Sequence, residues 1–153
     1  MKQRIHALAG TLAFFTIAVF WISTAVSELF GSPSDIAAVK QSILWGLLIL
    51  VPALIATGGT GTSLAYRRAG PKLDRKKRRM PVIAANGLMI LVPSAFFLAY
   101  KAGLGEFDTW FYAVQALELG AGAINLTLMA LNIRDGMLLS GRIRRNRPSR
   151  VET

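Results

Sequence analysis

The sequence predicts an all-α fold: an integral membrane four-helix bundle with antiparallel neighbours and both termini on the cytoplasmic side. Three observations carry that expectation. Four long apolar stretches are separated by connectors too short to hold another domain, and the cations are distributed lopsidedly among those connectors and the ends. Of the 153 residues 53% are hydrophobic, yet the formal net charge is +10. A mean hydropathy of +0.45 combined with that charge implies segregation, with apolar runs in lipid and cations outside it. The length suits a single domain.

The first apolar stretch, 5–30, meets no charge until Glu28. Its basic start and Ala25-Val26-Ser27 resemble a cleavable signal, but the run is longer than the roughly 7–15 residues of a signal's apolar region, so an uncleaved span is expected. The second stretch, 42–66, contains Pro52 and ends in the glycine-dense Thr57-Gly58-Gly59-Thr60-Gly61-Thr62-Ser63. That segment lacks the lysine-serine ending and preceding strand of a phosphate-binding loop. Close helix contact or a local break in the helix is expected there instead. The third, 81–100, contains Pro93, and the fourth covers 109–133. Each is long enough to cross a hydrocarbon core of about 30 Å at about 1.5 Å per residue. Each proline removes a backbone donor and is expected to kink its helix. Connectors this short make sequential helices antiparallel neighbours.

Orientation follows from the charges. Lys2 and Arg4, the basic loop 67–79 and the basic tail 134–153 hold 16 of the 18 Lys and Arg residues, leaving Lys40 and Lys101 opposite. The positive-inside rule makes the crowded side cytoplasmic, and a bacterial cytoplasmic (inner) membrane is the expected location. Phe30, Trp45, Tyr100, Phe107, Trp110, Phe111 and Tyr112 form an expected aromatic belt at the other face. The segments Lys72–Arg79 and Arg142–Arg150 are expected to attract anionic lipid headgroups at about 1 kcal/mol per cation. Neither interleaves aromatics for base stacking, so nucleic acid is not an expected partner.

The last helix carries the most informative pattern. Gln115, Glu118, Gly122, Asn125, Met129 and Asn132 recur at alternating intervals of three and four, which places them on one helix face. Amides and a carboxyl facing lipid would each cost several kcal/mol, so this face should look inward or across an oligomer interface. Asn86 on the third helix lies at the depth of Asn125, which suggests an interhelical amide pair. Counting from the span boundaries puts no Lys, Arg or His at the depth of Glu118. Its expected states are a neutral acid, a hydrogen bond to Gln115 or Ser94, or a bound cation. A second stripe of Ala116, Gly120, Ala123, Thr127 and Ala130 suits close packing within the bundle or between protomers. The charges Glu28, Asp35, Lys40, Lys101, Glu106 and Asp108 are expected to solvate the connectors facing away from the cytoplasm or to pair weakly.

His6 is the single histidine. With Ala9 and Gly10 beside it and Met129 or another methionine as second ligand, it could hold haem b. Cysteine is absent, which excludes disulfides, thiolate metal sites and cysteine nucleophiles. No Ser/His/Asp set and no paired carboxylates at one depth appear, so enzyme chemistry is the least expected class. The leading expectation is binding or translocation of a proton, cation or small solute at Glu118, Gln115, Asn125, Asn86 and Asn132. The alternatives are a haem- or quinone-associated membrane subunit using His6, and a non-catalytic accessory subunit. Membership of a homo-oligomer or a larger membrane complex is expected in each case.

Overall fold

In the computed structural model the described backbone covers residues 2–65 and 71–139, with side chains described for 5–60 and 79–138. Within those limits the chain is all helical. Helices α1 (Lys2–Phe30) and α2 (Pro33–Ala65) are followed by α3 (Pro71–Asn86), a π-helical turn (Gly87–Leu91), α4 (Val92–Gly103) and α5 (Thr109–Leu139). The segment from α3 through α4 is continuous, so four spans result: Ile5–Phe30, Pro33–Thr60, Arg79–Gly103 and Thr109–Leu138, each long and apolar enough to cross a membrane. The chain is therefore built as an integral membrane protein that contacts the lipid bilayer.

The helices begin where local start signals lie rather than where hydropathy rises. The expected second span opened at residue 42, but α2 starts at Pro33. Ser32-Pro33-Ser34-Asp35 is a capping box. The Ser32 amide donates to Asp35 Oδ2 at 2.9 Å, the Asp35 amide donates back to Ser32 Oγ at 3.3 Å, and Pro33 occupies the first helical position. Gly31 is needed just before it, because a Cβ there would sit 2.6 Å from the Ser27 carbonyl oxygen. Similarly α3 starts at Pro71 rather than 81, so the backbone from 71 to 79, expected as loop, is helical. At the start of α5, Asp108 Oδ1 accepts the Phe111 amide at 2.9 Å as an N-cap. That helix runs to Leu139, six residues beyond the expected end. Residues 66–70 and 140–153, including Arg67, Arg68 and Arg142–Arg150, lie outside the described residues.

Neither proline ends its span. Helix α2 passes through Pro52 without interruption. At Pro93 the helix responds by widening: the five residues from Gly87 to Leu91 form a π turn, and the Val92 amide reaches back to the Gly87 carbonyl. A wide turn there relieves the crowding between the pyrrolidine ring and the carbonyls of the preceding turn.

Packing divides into two apolar clusters. The larger contains Ala13 and Ile17 of α1, Ile43, Leu47, Leu50 and Ala53 of α2, Ile83 of α3, Ala95 of α4 and Met129 of α5. The smaller joins Ile36, Leu98, Ala102 and Phe111 near the short connections. Phe111 therefore does not belong to the aromatic belt; it is fully buried, edge-on to Phe107. Phe30, Trp45, Tyr100, Trp110 and Tyr112 are exposed. The glycine-dense end of α2 is neither a break nor, at Gly58, a close contact: helix continues to Ala65, and a Cβ at Gly58 would meet nothing within 4 Å. The small-residue stripe of α5 faces away from the core, with Ala116, Gly120, Thr127 and Ala130 exposed and Ala123 half-buried, so packing within the chain does not account for it.

Candidate functional site

The inward face of α5 organises the polar groups. Gln115, Gly122, Asn125 and Met129 are buried, with Glu118 and Asn132 partly so. Along this face the contacts form three groups in turn, around Glu118, Asn125 and Asp135.

Near the Phe111 end, Lys40 reaches inward from α2. Its Nζ lies 2.6 Å from Glu118 Oε2 and 3.5 Å from Thr24 Oγ1 of α1, and the lysine is only 1% exposed. This overturns the expectation that Glu118 has no cationic partner within the chain and that Lys40 solvates a connector. Because α2 starts at Pro33, Lys40 is already seven residues, about 10 Å, inside the helix. Its long side chain spans the rest of the distance. The capping box was the signal that could have revealed this. Gln115 Nε2 adds a bond to the same carboxylate oxygen of Glu118 at 3.3 Å. Ser94 is buried, but Glu118 does not use it among the described hydrogen bonds.

Two oxygens in this cluster are buried without a partner: Glu28 Oε1 and Gln115 Oε1. Glu28 sits on α1 two residues from its end at Phe30, within electrostatic reach of both Lys40 and Glu118. Trp21, one turn before Thr24, donates its indole N–H to the Leu119 carbonyl at 2.8 Å and packs against Gly122. The cluster thus joins α1, α2 and α5, with two carboxylates and one ammonium among apolar spans. The remaining charges of this end pair among themselves or serve a cap: Lys101 pairs with Asp108 at 2.6 Å and Glu106 at 3.0 Å, and Asp35 serves the α2 cap.

Deeper along α5, Asn86 Nδ2 donates to Asn125 Oδ1 at 2.9 Å and to the Ala121 carbonyl at 2.8 Å. The two amides anticipated as a pair do meet. They do so immediately before the π turn, whose Gly87 lies against Asn125. Asn125 Nδ2 also approaches the Ile83 carbonyl at 3.4 Å. Toward the far end, Arg79 of α3 pairs with the buried Asp135 of α5 at 3.0 Å, a contact the sequence reading missed because it assigned both residues to loop or tail. Asn132 Oδ1 is buried without a partner one turn away.

His6 is placed apart from these groups. Its Nδ1 lies 3.1 Å from the Thr57 carbonyl and 3.2 Å from Thr60 Oγ1, tying α1 to the glycine-dense part of α2. A carbonyl only accepts, so Nδ1 is the protonated nitrogen in this contact. Met129 lies in the apolar core, and the hydrogen bonds described for His6 run to α2 rather than toward it. Among the described residues no group of three or more His, Asp or Glu side chains is arranged to hold a metal ion.

No protein-family model, curated protein or solved structure matches the chain.

Proposed function

We propose that the chain is a small multi-pass membrane protein that binds or translocates a proton or small cation at the polar face of α5, with Glu118 and Lys40 at its centre. The observation that carries this reading is the buried Lys40–Glu118 pair beside the unpartnered oxygens of Glu28 and Gln115. A buried ion pair is a poor way to stabilise a fold, because the cost of desolvating both charges offsets most of their attraction; a well-packed apolar pair does as well or better. Charged groups inside a membrane mark ion or substrate paths by default. Asn125, Asn86 and Asn132 continue the polar face toward the Arg79 end and are assigned to the same path.

In this reading the spans form an antiparallel bundle with both termini on the cytoplasmic side, following the positive-inside asymmetry of the cations, in a bacterial cytoplasmic membrane. The basic segments Lys72–Arg79 and Arg142–Arg150 then face anionic headgroups. The exposed small residues of α5 suit contact with a second copy or with another subunit of a membrane complex.

The test is flux. The purified chain is reconstituted into liposomes containing a pH-sensitive dye, and pH, sodium or potassium gradients are imposed. Movement of an ion that is lost in Glu118→Gln, with helical content and elution profile unchanged, supports the reading. Absence of ion movement in the folded wild type overturns translocation. A Soret band in the purified protein would instead put His6 at the centre.

A further inference from the structure

The cluster at the Phe111 end contains two carboxylates but one ammonium, and the ammonium is committed. Lys40 Nζ engages Glu118 and Thr24, while no hydrogen bond joins it to Glu28 among the described contacts. Resting on the reading of this cluster as an ion site, we propose that the ion is a proton and that Glu28 is the residue that takes it up and releases it.

Three features of the site argue for this. The first is charge: with both carboxylates ionised the cluster would carry one uncompensated negative charge between apolar spans, and one added proton removes it. The second is hydrogen bonding. The orphaned atoms, Glu28 Oε1 and Gln115 Oε1, are both acceptors, and the Gln115 side chain is only 4% exposed with its amide directed into the cluster. Two buried acceptors lack a donor, and an O–H on Glu28 supplies one. A monovalent metal ion would balance the charge as well, but the described residues offer no group of three carboxylate or imidazole ligands to hold one.

The third feature is position. Glu28 lies two residues from the end of α1, beside the Gly31–Ser32 connection, whereas Lys40 and Glu118 lie deeper along their helices. Among the described residues α1 packs only against α2 and α5. The charged groups facing Glu28 are therefore Lys40 from α2 and Glu118 from α5. Uptake transfers a proton from a hydronium ion at the connection to a Glu28 carboxylate oxygen: an O–H bond forms on Glu28, one breaks on hydronium, and water is left. Release reverses the step, and no redox partner is involved. Lys40 stays bound to Glu118 throughout.

The experiment is infrared spectroscopy of the full-length purified chain in lipid nanodiscs, titrated between about pH 5 and pH 9. The wild type should show a protonated-carboxyl C=O band that fades as pH rises. In E28D the band should move to the position of an aspartic acid, and in E118D it should stay where it is. A wild type without any pH-dependent carboxyl band overturns the proposal and needs no variant to do so. A band that moves in E118D and not in E28D also overturns it, by placing the proton on Glu118. The readout is protonation rather than flux, so a band that moves in E28D in a protein that transports nothing would retain Glu28 as a proton site while removing translocation.

Discussion

Lys40 of α2 places its Nζ 2.6 Å from Glu118 Oε2 of α5, with Thr24 of α1 at 3.5 Å, so three helices converge on one ammonium. The geometry makes the pair asymmetric to mutation. Removing one partner leaves an uncompensated charge in an apolar setting, whereas removing both leaves a packing problem only.

Lys40→Met should therefore destabilise the protein by about 3–5 kcal/mol, and Glu118→Leu by a similar amount, while the double variant recovers most of the loss. Thermal unfolding in detergent, followed by circular dichroism, closes the double-mutant cycle. Additive losses would mean that the two side chains are not coupled and that the pair does not persist in solution.

The amide pair deeper in the protein is a smaller contributor. Asn86→Ala removes the donor to both Asn125 Oδ1 and the Ala121 carbonyl, and Asn125 is only 1% exposed. Interhelical hydrogen bonds in membrane proteins average well below their expected strength, so a loss of about 1 kcal/mol is expected. The same unfolding assay reads it. A loss as large as that of Lys40→Met would show that the π turn beginning at Gly87 depends on this contact.

The polar face of α5 was legible because a three-four repeat survives any error in helix boundaries: shifting an end does not change which residues share a face. The same holds for the four spans, whose apolar content exceeds any boundary uncertainty. The partner of Glu118 was not legible from depth counting, because depth is measured from an end, and hydropathy placed the start of α2 nine residues late. The Arg79–Asp135 pair was hidden in the same way, both residues lying in helix beyond the apolar windows. In both cases charged residues extend a helix that hydropathy truncates, and only local chemistry such as Ser32-Pro33-Ser34-Asp35 marks the true start.

Asp108 gives a prediction in pH. A hydrogen bond from Lys101, and then the Phe111 amide, hold its carboxyl below the usual value of 3.8. The unfolded chain therefore binds a proton at this residue more readily than the folded one. Its contribution to stability is full above the unfolded value, about pH 3.9, and is lost as pH falls through the lower folded value. Asp108→Asn keeps a capping acceptor but loses the charge facing Lys101. The variant should lose less stability than wild type between about pH 5 and pH 3, measured by unfolding at each pH. Equal acid sensitivity of the two proteins would show that Asp108 does not hold its pairing in solution.

Glycine substitutions separate the tight contacts from the open ones. A Cβ on Gly46 would collide with the Phe20 ring, and one on Gly122 would lie 2.9 Å from Trp21 Cδ1, forcing the indole away from its bond to the Leu119 carbonyl. Overpacking of this kind costs about 1–3 kcal/mol, so Gly46→Ala and Gly122→Ala should both lower the unfolding temperature. Gly58 differs, because a Cβ there meets nothing within 4 Å. Alanine inside a helix is favoured over glycine by about 0.5–1 kcal/mol, so Gly58→Ala should leave the protein as stable or slightly more so. If Gly58→Ala instead weakened self-association of the chain in detergent while leaving its helical content intact, the open side of α2 would be a surface that a second copy approaches closely. In a membrane such approach depends on small residues, and a single methyl group suffices to hold two backbones apart.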